Sequence, residues 1–166
     1  VTQPFLELEA AGQVLGNLSF HTPSDIELER QSPDVIILQG RYSDSAVNEV
    51  ERVRNSSRAF RIFELDDYVI DVPKKHAHVR KSIVGVEQIV RRAIGLCDRV
   101  VVSTQPLADA LKGMHDDIRV VPNMLAPHLW TGLSSQRRTS RKPRVGWGGG
   151  TSHDGDLAII ADVVRL

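Results

Sequence analysis

Short, largely apolar runs recur along the chain at Val35-Ile36-Ile37-Leu38, Ile62-Phe63-Glu64-Leu65, Val100-Val101-Val102 and Arg119-Val120-Val121. Pro122 ends the last of these, and a fifth, Arg144-Val145-Gly146-Trp147, follows a long polar gap. Continuous apolar runs, rather than strict alternation, are the pattern of parallel strands covered on both faces. Between the runs the apolar period changes from two to about 3.6. Ser43 to Arg54 sets Ala46, Val50 and Val53 on one helical face, with charges opposite. Val79 to Cys97 carries Val79, Ile83, Val86, Val90, Ala93, Ile94 and Cys97 as a stripe. Pro106 to Lys112 follows the capping residues Ser103-Thr104 and stops at Gly113. His153 to Leu166 places Leu157, Ile160, Ala161 and Val164 together. At the start, a helix is expected over Pro4 to Ala11 and a strand over Val14 to Phe20. Alternating strand and helix predict an α/β fold, a doubly wound parallel sheet.

The polar stretch from Thr131 to Lys142, with Arg137, Arg138, Arg141 and Lys142 among serines and threonines, reads as a boundary. It divides the chain into a domain over 1–130, a linker over 131–142 and the opening strand and helix of a second domain over 143–166. The first residue is Val1 and the last four read as mid-helix, so both ends are expected to be cuts.

Composition narrows the function classes. The 166 residues carry 21 basic and 21 acidic side chains, so no net field draws the chain to nucleic acid or an anionic membrane. The basic cluster between Arg137 and Arg144 lacks interleaved aromatics and reads as solvated linker. A single cysteine, Cys97, excludes an internal disulfide framework and suits a reducing compartment. It lies on an apolar stripe and reads as inert core. With neither a signal peptide nor an apolar run near 18 residues, a cytoplasmic location is expected.

Candidate chemistry gathers where strands end. Asp66 and Asp67 follow a strand, where open α/β sheets place their ligand crevice; there they can hold a metal, act as a base or orient sugar hydroxyls, or one can cap a turn. Ser103, Thr104 and Asn123 stand at the ends of the next two strands as crevice-lining candidates, with helix-cap and turn roles as the alternatives. The turn Gly146-Trp147-Gly148-Gly149-Gly150-Thr151-Ser152-His153 joins a strand to a helix. Glycines allow close backbone approach, and helix-end N–H groups suit an anion; Thr151, Ser152 and His153 add donors. The alternative is a flexible turn capped by Ser152. Asp154 and Asp156 would repel an anion held too near. His76 and His78 share no helical face, so no metal site is expected.

Four segments in order, 63–67 with its paired aspartates, the Asp98-x-Val100-x-Val102-Ser103-Thr104 unit, Val121-Pro122-Asn123 and the glycine-rich turn through Leu157, resemble the bacterial group 1 (family 4-like) glycosyltransferases over about residues 34 to 166. The resemblance implies the two-domain GT-B architecture: 1–130 as most of a Rossmann-like, acceptor-side domain, then the opening of a nucleotide-sugar-binding domain. It implies transfer of a sugar from a nucleotide-sugar donor to a glycan or lipid-linked acceptor in surface-polysaccharide synthesis, without a cofactor or an obligatory metal. Asp66 and Asp67 would be catalytic, and Gly148, Gly149, Gly150, Thr151, Ser152 and His153 would bind the donor diphosphate. Many relatives carry Arg and Lys where this chain has Trp147 and His153, which shifts weight onto backbone N–H groups and His153. A non-catalytic nucleotide- or sugar-binding regulatory domain is the rival expectation. A phosphorelay receiver is set aside, because the phosphorylatable Asp and the later Lys it needs have no counterparts here.

Overall fold

The computed structural model describes residues 2–70, 85–134, 146, 148 and 154–164. Their elements run α1 (Thr2–Ala10), α2 (Asp25–Gln31), β1 (Val35–Gln39), α3 (Asp44–Ser56), β2 (Phe60–Leu65), α4 (Val86–Gly95), β3 (Arg99–Val102), α5 (Gln105–Ala110), β4 (Ile118–Val120), α6 (Pro127–Trp130) and α7 (Asp154–Val164). The four strands form one parallel sheet in the order β1-β2-β3-β4. Each apolar run around positions 35–38, 62–65, 100–102 and 119–121 therefore becomes a strand, with its ends shifted by one or two residues. The fifth run, 144–147, falls outside the described residues except for Gly146.

The strand order never reverses, and this decides where the helices go. Each crossover steps to the next strand in the same direction, so right-handed connections lay α3, α4 and α5 on one face. Burial agrees. Leu38, Phe63, Leu65, Val100 and Val102, each at most 2% exposed, share one core with Val47 and Val50 of α3, Val90, Ala93 and Ile94 of α4, and Leu107 of α5. The architecture is α/β with a Rossmann-like parallel sheet, but helices on the second face, as double winding implies, are not what these crossovers provide. Alternation of strand and helix dictates parallel crossovers; it does not dictate the direction in which the sheet grows.

The helices follow their sequence patterns with small corrections. In α3 the buried stripe is Val47, Val50 and Val53, with Ala46 only half-buried, and Ser43 caps its start by accepting from Ala46 N–H at 3.2 Å. In α4 the buried residues are Val86, Val90, Ala93 and Ile94, four of the expected stripe; Val79 and Ile83 lie outside the described residues. The expected strand over 14–20 does not form: Leu15 and Phe20 stand fully exposed, and no strand among the described residues pairs with this segment. Helix α2 was not expected there, although Ser24-Asp25-Ile26-Glu27 carries the Ser-x-x-Glu signature of a capping box. Both of its bonds are present, Glu27 N–H to Ser24 Oγ and Ser24 N–H to Glu27 Oε2. Arg52 ties α2 to α3, reaching Asp25, Glu49 and the Pro23 carbonyl.

Polar groups lock the amino ends of the strands. Asp98 accepts the Arg61 backbone N–H at 2.7 Å and the Arg61 guanidinium at 2.8 Å, while Arg61 also donates to the Leu96 and Ala59 carbonyls. The His115 ring accepts the Asp117 N–H at 2.9 Å and lies 3.2 Å from the Cys97 carbonyl, joining the entries to β3 and β4. Cys97 is a buried free thiol that burial pushes up to about 12. A thiol so placed is protonated at neutral pH and inert as a nucleophile.

Candidate functional site

The carboxyl ends of β2 and β3 face the same cleft. The chain leaves β2 at Leu65 and exposes Asp66, Asp67 and Tyr68 in succession. It leaves β3 at Val102 and enters α5 through Ser103 and Thr104. Between them lies an open cleft of about 300 Å³, lined by Asp66, Asp67, Tyr68, Thr104, Pro106, Leu107 and Ala110. Residues 37 positions apart in sequence are thus neighbours because β2 and β3 pair side by side, with Leu65 opposite Val102.

Ser103 sets the spacing between the two loops. Its side chain is buried, at 8% exposure, and its hydroxyl donates to the Asp66 carbonyl at 3.1 Å. A hydrogen bond of this kind stabilises by about 1 kcal/mol, and it fixes the loop that carries both aspartates. Ser103 therefore supports the cleft from beneath rather than lining it. Thr104 does line it, while its Oγ1 accepts the Leu107 N–H at 3.4 Å as the cap of α5. Capping uses the oxygen's lone pair and leaves the hydroxyl proton free to donate.

Three carboxylates, Glu64, Asp66 and Asp67, act on this edge. Tyr42, half-buried just past β1, has its phenol pushed up to about 12, first by burial and then by the carboxylates of Asp66, Glu64 and Asp67. Glu64, paired in register with Gln39, has its carboxyl raised by burial and by Asp66. One of its oxygens, Oε2, is buried without a hydrogen-bond partner, as is Arg41 Nε at the neighbouring strand end. Both aspartates are exposed, and no ion pair joins either to another described residue.

The remaining expected site residues fall differently. Asn123 is exposed beyond β4 and is not part of this cleft. Of the glycine-rich turn, Gly146 and Gly148 are described; a Cβ on either would meet nothing within 4 Å. Trp147, Gly149, Gly150, Thr151, Ser152 and His153 lie outside the described residues, and helix α7 begins at Asp154, directly after them. Among the described residues no group of three His, Cys, Asp or Glu is placed to hold a metal ion, and no helix is long and apolar enough to cross a membrane.

Two aromatic residues at the site escaped the sequence reading. Tyr68 was hidden beside the more conspicuous aspartates, and Tyr42 belongs to the loop after a neighbouring strand. The only available signal was position: each follows a strand end in a parallel sheet.

Comparison with known proteins returns no matching family model, no matching curated protein and no matching solved structure.

Proposed function

We propose that the chain is part of a glycosyltransferase that moves a sugar from a nucleotide-sugar donor to a glycan or lipid-linked acceptor. The observation that supports this most directly is the cleft itself. The paired aspartates and the Ser103-Thr104 strand end, two of the four segments on which the resemblance rests, meet there across paired strands. In this reading the cleft receives the acceptor. As the anomeric carbon leaves the diphosphate oxygen, the acceptor oxygen bonds it, and Asp66 or Asp67 takes the hydroxyl proton or orients the hydroxyl. A positioned base of this kind contributes about 10²–10⁴-fold to rate. The negative charge released stays on the nucleoside diphosphate, and stabilising it is usually the largest electrostatic contribution. That role falls to Gly148 through His153, ahead of the amino end of α7. The reading implies the GT-B arrangement and no obligatory metal.

The residues that carry the resemblance also have local structural work, which the reading must accommodate. Asp98 binds Arg61, Val100 and Val102 fill the core, Ser103 spaces the loops and Thr104 caps α5. The side chains of Asp66 and Asp67 have no such role among the described contacts, so they give the cleanest test.

Calorimetric titration with a panel of nucleotide sugars and their nucleoside diphosphates, followed by a turnover assay, tests the proposal. His153→Ala is expected to weaken diphosphate binding about tenfold to a hundredfold, the equivalent of one charge-assisted hydrogen bond. Asp66→Asn or Asp67→Asn is expected to lower turnover while leaving thermal stability within about 0.5 kcal/mol, as for exposed substitutions. Absence of binding to every donor tested, or full turnover in both aspartate variants, overturns the assignment.

A further inference from the structure

The cleft beyond β2 constrains which ring can occupy it. Its walls are of two kinds. Asp66, Asp67 and Thr104 present oxygens, while the Tyr68 ring, Pro106 and Ala110 present flat or apolar surface. A pyranose matches both: a rim of hydroxyl donors and a face of C–H groups. A carboxylate can only accept hydrogen bonds, so two of them side by side select for donors, whether hydroxyl or ammonium. The volume, about 300 Å³, lies at the lower bound of ligand pockets, roughly 300–1,000 Å³. That is room for one ring rather than a chain of them.

Charge completes the selection. Among the described residues that line it, none is Lys, Arg or His. Burial holds the proton on the nearby Tyr42 phenol, and the carboxylates of Asp66, Glu64 and Asp67 add to that effect. A uronate or phosphorylated sugar placed here would bring a third negative charge beside two carboxylates. Like charges this close repel, and more strongly where water is partly excluded.

We propose that this cleft is a single-ring saccharide subsite that takes neutral or amine-bearing rings and rejects acidic ones. The inference rests on the transferase reading for its biological sense, but its chemistry depends on the cleft alone.

The two are separated by testing the chain without any donor. Amide chemical shifts of the 166-residue protein are followed by NMR during titration with glucosamine, glucose and glucuronate. The expected result is millimolar binding that perturbs the amides of Asp67, Tyr68, Thr104 and Ala110. Glucosamine should bind best, by about threefold to tenfold over glucuronate, with glucose between. The preference should shrink in 0.5 M salt and in Asp66→Asn/Asp67→Asn, whose isosteric side chains preserve the loop; unchanged shifts elsewhere in the spectrum verify its fold. Glucuronate binding as well as glucosamine would mean that a cation reaches the cleft, and it overturns the proposal. So do shifts confined to other parts of the protein, or no shifts at all. Sugar-selective shifts without nucleotide-sugar turnover would leave the subsite standing and remove the transferase.

Discussion

The two faces of the sheet are built from similar residues and sit in different surroundings. On one face Leu38, Phe63, Leu65, Val100 and Val102 are sealed under α3, α4 and α5. On the other, Val35 is 49% exposed, Ile37 52% and Phe60 38%, with Arg99 lying 5.2 Å over the Phe60 ring. Strands in parallel sheets read as continuous apolar runs because both faces are usually covered. Here the sequence is written for two covered faces, and the crossovers cover one. A strand's composition thus reports the environment it is suited to, and chain topology decides which side receives it.

The sharpest test of this contrast compares two phenylalanines on the same strand. Phe63→Ala should destabilise by about 3–5 kcal/mol, as for buried aromatic truncations. Phe60→Ala should cost about 1 kcal/mol, mostly through the lost Arg99 contact. Urea denaturation of both variants measures the difference, and equal losses would break the comparison. A second measure reads the covered side by titration. Burial raises the Cys97 thiol from 9.0 to about 12, and the Tyr42 phenol is raised from 10.0 to about 12. For a group whose folded value is raised, the stabilisation is complete below the unfolded value and disappears as pH climbs through the folded one. Stability should therefore fall between about pH 9 and pH 12, by up to about 1.4 kcal/mol per pH unit for each group. Cys97→Ala should flatten the earlier part of that fall; an unchanged profile would mean the thiol is not sealed. The smallest effect is expected on the open face, where Ile37→Thr should shift stability by about 0.5 kcal/mol or less. A loss comparable to that of Leu38→Thr would show that something covers this face in solution.

Much of the fold was legible in the sequence because its signals are local. The Val/Ile/Leu runs marked the strands, and the stripe through Val86, Val90, Ala93 and Ile94 marked the helix that covers them. The unreadable parts depend on partners. Val14 to Phe20 has strand-like composition, yet a strand exists only where a neighbour supplies hydrogen bonds, and none of the described residues does so here. Strand order is likewise invisible in any one segment. Asp66, Asp67 and Thr104, singled out by their places after strands, line the cleft. Ser103 looked the same by that criterion, but one residue's step in an extended chain turns a side chain to the opposite side, and its hydroxyl went inward to the Asp66 carbonyl. Tyr42 could be connected to the aspartates only once β1 was known to lie beside β2.

The uninterrupted order β1-β2-β3-β4 also bears on how the sheet comes into being. Every strand pairs with its immediate predecessor in the chain, separated from it by a single crossover. Each pairing closes one crossover loop, and the entropic cost of closure grows only slowly with loop length. During synthesis each new βα unit meets an edge already completed, with no need to wait for a distant strand. The last strand, β4, has only three residues and, among the described residues, one neighbour. Hydrogen exchange should therefore be slowest in β2 and β3, each paired on both sides, faster at β1 and fastest at the three-residue β4.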